Sequence, residues 1–386
     1  MTRVTAETHV CVIGAGIMGA SAAFHLAERG IATTVVEKAV PGAEASGATA
    51  GTVALLRKPL ALTPLAQRAI DLWETLGDRL GMDVGYERRG GFKVAHTDDD
   101  VKSLENTAAA GRALGVDVEM VYQPQLAAAA PYLSAKIVAA SYCATDGLAN
   151  PFATLRAFIR AARQQGASFW YGTEVTWVHQ TDDERFLVET TRGTIRCSAV
   201  VAAAGAWNLE IARMVGVSLP LTTALLQVIV TDFGPSIFPH VVSHVRENVT
   251  LKQQRTTGKI MIGGGWPGDG DRTVGLKRIR RESFLGNLEW ATEVIPRIAD
   301  AHVLRAWTGF EGRTPDRLLI SGPAGPRGFY LLGCSYSGFS LSPVAGQIAA
   351  EYIVLGQPTV PCECVSVQRF LPEAAEPLAR SRDVTQ

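Results

Sequence analysis

Residues 12–20 read VIGAGIMGA and directly follow the run HVC at 9–11. Gly14, Gly16 and Gly19 stand in G-x-G-x-x-G spacing, between a buried-strand pattern and a helix pattern, IMGASAAFHLAERG, that Gly30 closes. Each glycine answers a separate demand: a tight turn, the close approach of a pyrophosphate, and close packing of helix on strand. The helix N-terminus behind the turn attracts phosphate charge. Such spacing alone is weak, and Glu37 gives it meaning. That residue ends the second strand pattern, ATTVVEK, 23 residues after Gly14. There a carboxylate accepts hydrogen bonds from a ribose diol and repels a 2′-phosphate. Strand, helix and strand in this order form a βαβ unit, and hence a parallel sheet that binds a dinucleotide.

Further along, Thr63 as N-cap and Pro64 at the first helical position predict a helix with Leu65, Ala69, Leu72, Trp73 and Leu76 as its apolar stripe. GYERRGGFKVAH at 85–96 predicts antiparallel strand, and residues 98–114 predict a helix with three aspartates at its positive end. Asn150 and Pro151 open another helix, closed by Gly166. Two strands are expected next, ASFWYGTEVTWVHQ and RFLVETTRGTIRC, the second hinged at Arg192-Gly193. AVVAAAGAW reads as an apolar strand stopping at Gly205. Alternating β-formers between Leu221 and Trp266 predict an antiparallel sheet, and GFYLLGCSYSGFSLSPVAGQIAAEYIV a strand running into a long helix. The expected fold class is α/β, with a discontinuous chain: a Rossmann-like parallel-sheet domain from residues 1–80, 145–220 and 305–386, and an α+β substrate domain with an antiparallel sheet from 81–144 and 221–304.

Length and charge bound the function. A chain of 386 residues, 47% hydrophobic and 19% charged, supports two or three packed domains. Lys+Arg and Asp+Glu both number 37, which argues against nucleic acid or an anionic membrane as the main partner. The N-terminus carries no basic-then-apolar signal, and glycines interrupt the weakly charged run from His9 to Ala27, so a cytoplasmic chain without a membrane span is expected. The six cysteines form no C-x-x-C pair and read as reduced thiols. Cys362-x-Cys364 lacks neighbouring ligands, so no metal site is expected.

Three features favour FAD among the adenine dinucleotides. SGATAG at 46–51 offers a small-residue loop to the pyrophosphate, and VVAAAGAW at 200–207 repeats the strand-to-glycine pattern. GCSYSGFSLSPVAG at 333–346 puts small residues ahead of a helix whose N-terminal dipole would stabilise charge on a reduced flavin. With these motifs, and with GGFKVA at 90–95, DGLANP at 146–151 and TGFEGRTPD at 308–316, the chain resembles the D-amino acid oxidase-like family of FAD-dependent oxidoreductases. That family includes glycine oxidase, sarcosine oxidase and the β-subunits of opine and hydroxyproline dehydrogenases.

The resemblance implies oxidation of the C–N bond of an amine or amino acid by hydride transfer to flavin N5. Partners would be that small-molecule substrate, partner subunits, or a protein or quinone electron acceptor. Two other readings stand beside it: a flavin-bearing subunit inactive without its partners, and a 2-hydroxy acid or polyol phosphate oxidoreductase on the same fold. Cofactor-binding residues are expected to be Gly14, Ala15, Gly16, Ile17, Met18, Gly19, Glu37 and Lys38, then Ser46, Gly47, Thr49, Ala50, Gly51 and Thr52. Val175, Ala204, Gly205, Trp207, Gly309, Ser337, Gly338, Phe339 and Ser340 complete the set. Relatives acting on small amino acids commonly place an arginine where Glu311 stands; here an acid stands ready for a cationic group of the substrate, or for local pairing with Arg313. Tyr336 stands in a run where related subunits often carry Gly-His-Gly, and it can stack on the substrate. His244 is a cavity candidate or an exposed turn residue, and Arg255 and Arg305 are weaker carboxylate binders. The lysine that promotes oxygen reactivity in sarcosine oxidase-like enzymes aligns near Met261, with Lys259 on the same strand face. EGRTPD and SGATAGTVALLRK contain no cysteine or histidine, so FAD is expected to be noncovalent.

Overall fold

The computed structural model describes residues 4–232, 234–334 and 336–370. Strand β1, Val4–Ile13, ends at the glycine turn; helix α1, Ile17–Ala27, follows, and then strand β2, Thr33–Val36. β1 runs parallel to β2, register Val10↔Thr33 to Ile13↔Val36, and parallel to Gly193–Ala202 on its other side. The sheet has the order Val175–Gln180, Phe186–Thr190, Gly193–Ala202, β1, β2, Ser168–Trp170, and Phe329–Gly333 pairs parallel to the end of Gly193–Ala202. Its central strands are nearly continuous apolar runs, as both faces are covered. On one face α1 packs against Pro151–Gln164 and Gly338–Leu355, and Thr63–Leu80 packs on the last of these. All eleven residues of α1 are buried, which explains a helix apolar on every side.

A second eight-stranded sheet has the order Val303–Arg313, Thr222–Thr231, Ile260–Gly263, Thr250–Gln253, Val241–His244, Gly91–Ala95, Ala139–Cys143, Glu119–Tyr122. Its pairings are antiparallel except Val241–His244 beside Gly91–Ala95. The expected combination of parallel and antiparallel sheets is present. Val303–Arg313 pairs with Thr222–Thr231 along its whole length and so spans the expected boundary at 305. Residues 1–3 and 371–386 of the expected cofactor part lie outside the described residues.

Some expectations need correction. ASFWYGTEVTWVHQ is two strands at opposite edges of the first sheet, Ser168–Trp170 and Val175–Gln180, broken at Gly172. The hinge at Arg192-Gly193 is a hairpin, but its second strand continues without a break to Ala202. Thr63 is the first helical residue and caps nothing. Thr97 caps the helix Asp98–Ala113 through a capping box with Asp100, while Asn150 caps Pro151–Gln164 by accepting from Phe152 and Ala153 N–H at 3.1 Å.

Candidate functional site

A cavity of about 550 Å³ runs from the glycine turn to the strand Val303–Arg313, a size suited to a large ligand. At one end its wall is backbone. Gly14 has φ +106°, and a Cβ there would lie 2.6 Å from the Ala203 carbonyl oxygen, so only glycine fits. The Glu37 carboxylate accepts from Ala15 N–H and Ala39 N–H, both at 2.9 Å, which fixes it beside the turn. Ser46 Oγ accepts from Ile17 N–H at 2.9 Å, tying the small-residue loop to the start of α1. The N-cap residues of α1 and Gly338–Leu355 give no side-chain cap, and apart from Ser46 on Ile17 N–H both helix starts turn N-terminal backbone charge to the cavity. Lys38 Nζ lies 3.2 Å from the centroid of Trp207, and burial lowers its pKa.

Gln227 lines the cavity, where its buried amide nitrogen and oxygen have no hydrogen-bond partner. An unpaired buried amide of this kind costs about 1–3 kcal/mol, which a ligand with matching polar edges recovers. The glycine cradle, the two helix starts at the wall and this orphaned amide fit a dinucleotide with a polar ring system.

The other end is built of charged side chains. Glu311 accepts from Arg313 Nε–H at 2.9 Å while burial holds its pKa above the ordinary value. Arg313 and Arg317 lie 4.0 and 4.4 Å from the centroid of Tyr336, itself 40% exposed at the cavity mouth. Arg57 donates to the Val249 carbonyl at 3.2 Å, and Lys58 beside it has its pKa brought down to about 8 by burial. Behind them Lys252, 1% exposed, donates to Thr52 Oγ1 at 2.6 Å.

Most expected residues meet in this one cavity: Gly14, Gly16, Ile17, Met18, Glu37, Lys38, Ser46, Thr49, Ala50, Thr52, Val175, Ala204, Gly205, Trp207, Gly309, Glu311, Tyr336 and 337–340. Ala15, Gly19, Gly47, Gly51 and Arg313 stand behind the wall and shape it. The glycines of the 308–316 run serve packing: a Cβ on Gly309 would meet Ala48, and one on Gly312 would meet the Gly205 carbonyl oxygen at 2.7 Å.

His244 is neither in the cavity nor exposed. It is a buried strand residue whose Nε2 lies 3.0 Å from His96 Nδ1 and whose Nδ1 accepts from Arg246 and Glu247 N–H. Arg305 stacks on Trp307, and Arg255 lines a separate small pocket with Arg89. Met261 is off the wall as well; it sits across from Lys252 in the antiparallel register, so the buried lysine beside the cavity is on the neighbouring strand. Arg57, Lys58, Gln227, Arg317 and Lys252 escape a reading of the sequence. Only Arg57-Lys58 leaves a local signal, two cations ending the apolar run TVALL. Among the described residues no cluster of His, Cys, Asp or Glu is arranged to hold a metal, and no helix is long and apolar enough to cross a membrane.

This arrangement is that of a dinucleotide-dependent enzyme. The chain belongs to the family of FAD dependent oxidoreductases (DAO), whose model matches residues 9–352. It is similar to one of the subunits of opine oxidase from Rhizobium meliloti, 28% identical over 383 residues that cover 96% of this chain and 100% of that one. Glycine oxidase of Geobacillus kaustophilus is 27% identical over 355 residues, 89% and 92% of the two chains. The crystal structure of glycine oxidase from Geobacillus kaustophilus superposes with a TM-score of 0.86 at 26% identity, covering 95% and 100%. The chain is thus an FAD-dependent oxidoreductase acting on amino acids or amines.

Proposed function

We propose that this chain oxidises the C–N bond of an amino acid or secondary amine, of opine, hydroxyproline or sarcosine type, to an imine that water then hydrolyses. The observation that carries this reading is that one cavity is lined by both an acid, Glu311, and a guanidinium, Arg57. An amino acid presents both complements, a basic nitrogen and a carboxylate. Bound FAD supplies the two-electron acceptor for the hydride that leaves the substrate carbon.

The chain's own residues bind and orient. The Gly14–Gly16 turn and the start of α1 hold the pyrophosphate, Glu37 holds the adenosine ribose, and residues 337–340 face the flavin ring. Arg57 clamps the carboxylate through a planar fork. Glu311 holds the amine nitrogen, with Arg313 and Tyr336 fixing its orientation. Cys334 is the one cysteine in the wall among the described residues, and burial keeps its thiol protonated by pushing its pKa up to about 12; no histidine lines the cavity among the described residues. FAD is therefore held without a covalent bond. Acid denaturation should release all of it to the supernatant, and flavin retained on the precipitated chain would contradict this.

A second reading is favoured by the full-length similarity to a protein named as a subunit: the chain carries flavin but needs partner subunits to turn over. Turnover of the isolated holoenzyme with an artificial electron acceptor separates the two, since a partner-dependent subunit shows none.

A further inference from the structure

Residues 269–278 form an antiparallel hairpin, Asp269–Asp271 with Leu276–Arg278, that stands outside both large sheets. Its stem rests on the strand Thr222–Thr231: Gly268 N–H donates to the Leu225 carbonyl at 2.8 Å, and a Cβ on Gly270 would lie 2.8 Å from the Leu225 side chain. Beyond the stem the apolar side chains point outward. Val274 is 73% exposed, Leu276 40% and the following Ile279 37%, so burial of apolar surface does not hold the tip in place.

Ion pairs hold it instead. At the tip, Arg272 grips Glu210 with both terminal nitrogens, Nη1 to Oε2 at 3.0 Å, and Nη1 also donates to the Ala206 carbonyl. On the returning strand Lys277 donates to Glu44 Oε1 at 3.0 Å, while the other oxygen of Glu44 accepts from Phe310 N–H at 3.1 Å. Glu44, Ala206 and Glu210 all line the cavity. Glu44 stands two residues before Ser46, which is tied to the start of α1; Ala206 and Glu210 follow Ala203, whose carbonyl closes on Gly14. The hairpin is therefore anchored on the two segments that flank the glycine turn, and it joins them as a strap. Lys38 on the Trp207 ring joins the same two segments.

The four paired side chains are 25–39% exposed, which places them at the rim of the cavity. Partly exposed pairs are individually weak and are screened by salt. A strap held this way can swing aside while both sheets stay intact, and a ligand enclosed along a cavity of this size needs a wall that moves. We propose that the hairpin 269–278 is a gate over the dinucleotide end of the cavity, with Arg272–Glu210 and Lys277–Glu44 as its ionic latch, and that FAD enters and leaves when the latch opens. The gate goes beyond the C–N oxidation reading and does not depend on which substrate is oxidised.

The test follows release of FAD from the holoenzyme after dilution, read as flavin fluorescence in an ultrafiltrate. Release from the wild-type chain should quicken about fivefold between low salt and 0.5 M NaCl, because the latch is screened. Arg272→Met, which keeps the length and loses the fork, should release FAD at least about tenfold faster at low salt and lose most of the response to added salt. A cross-link tests the motion itself. In a Cys364→Ser background, chosen because the other five cysteines are buried, Glu44→Cys and Lys277→Cys are joined by a short bismaleimide. The unlinked double variant should release FAD faster than wild type, and linking it should slow release at least about tenfold, a result that loss of a contact cannot produce. A wild-type rate indifferent to salt, an Arg272→Met chain that releases no faster than wild type, or equal rates in the linked and unlinked chains overturns the gate; C–N oxidation, read by flavin bleaching, stands or falls separately.

Discussion

At the Gly14 end of the cavity the wall is backbone, drawn largely from the first 52 residues and fixed by glycines and short hydrogen bonds. At the Glu311 end it is charged side chains, drawn from segments near residues 57 and 311–317 that lie far apart in sequence. The first end is specified by local geometry that tolerates no added atom. The second is specified by electrostatics, where one side chain can be exchanged without disturbing the frame. On the proposed function, the difference separates what holds the cofactor from what selects the substrate.

Breaking the first end should therefore have the larger effect. Gly14→Val places branched carbon against the Ala203 carbonyl at a φ that valine rarely adopts. The expected result is loss of bound FAD, with at least about a 100-fold weaker Kd, read from the flavin-to-protein absorbance ratio of the purified chain. At the other end, Glu311→Gln keeps an acceptor for Arg313 but removes the charge that holds the amine. FAD content should not change, and KM for the amine substrate should rise about 30-fold in steady-state kinetics. An unchanged KM returns Glu311 to a role in shaping the strand end.

The charges of the second end also make it sensitive to pH. Lys58 is cationic below its pKa of about 8 and neutral above it, so its attraction for a substrate carboxylate disappears as pH rises. Glu311, with its pKa raised, is fully ionised only on the alkaline side of the ordinary carboxylate range. KM should fall as pH rises through the Glu311 transition and climb about tenfold between pH 7 and 9.5, a change absent in Lys58→Met.

The smallest effect on turnover is expected at His244, away from both ends. His244→Asn should alter kcat/KM by less than about threefold. Stability should respond instead. Burial lowers the folded pKa of His244 to about 4 from the ordinary 6.5, so the unfolded chain binds more protons between those values and stability drops as pH falls from 6.5 toward 4. The variant should lose part of that slope in Tm measured across the window.

The same contrast explains what can be read from sequence. The glycine turn, Glu37 and the loop at 46–52 are legible because neighbouring residues build that end and each motif carries its own steric reason. Arg57 and Arg317 escape such a reading because their meaning comes from sharing a cavity across more than 250 residues of chain. The lysine beside the cavity shows the limit most clearly. Period-2 alternation says which face of a strand a residue takes, but only the pairing Lys252↔Met261 shows that the lysine belongs to the neighbouring strand. His244 is misplaced for a related reason: a polar residue beside a turn looks exposed until the packing of His96 and Trp290 over it is known.

The central claim is that this cavity oxidises a C–N bond, and anaerobic titration of the holoenzyme tests it directly. Amino acids and secondary amines, diacids included, are compared with 2-hydroxy acids and glycerol phosphate by loss of the visible flavin band. The expected result is bleaching by at least one amine and by no hydroxy compound, with the matching keto acid or aldehyde released. Bleaching by a hydroxy acid or by glycerol phosphate, with every amine inert, would contradict the claim.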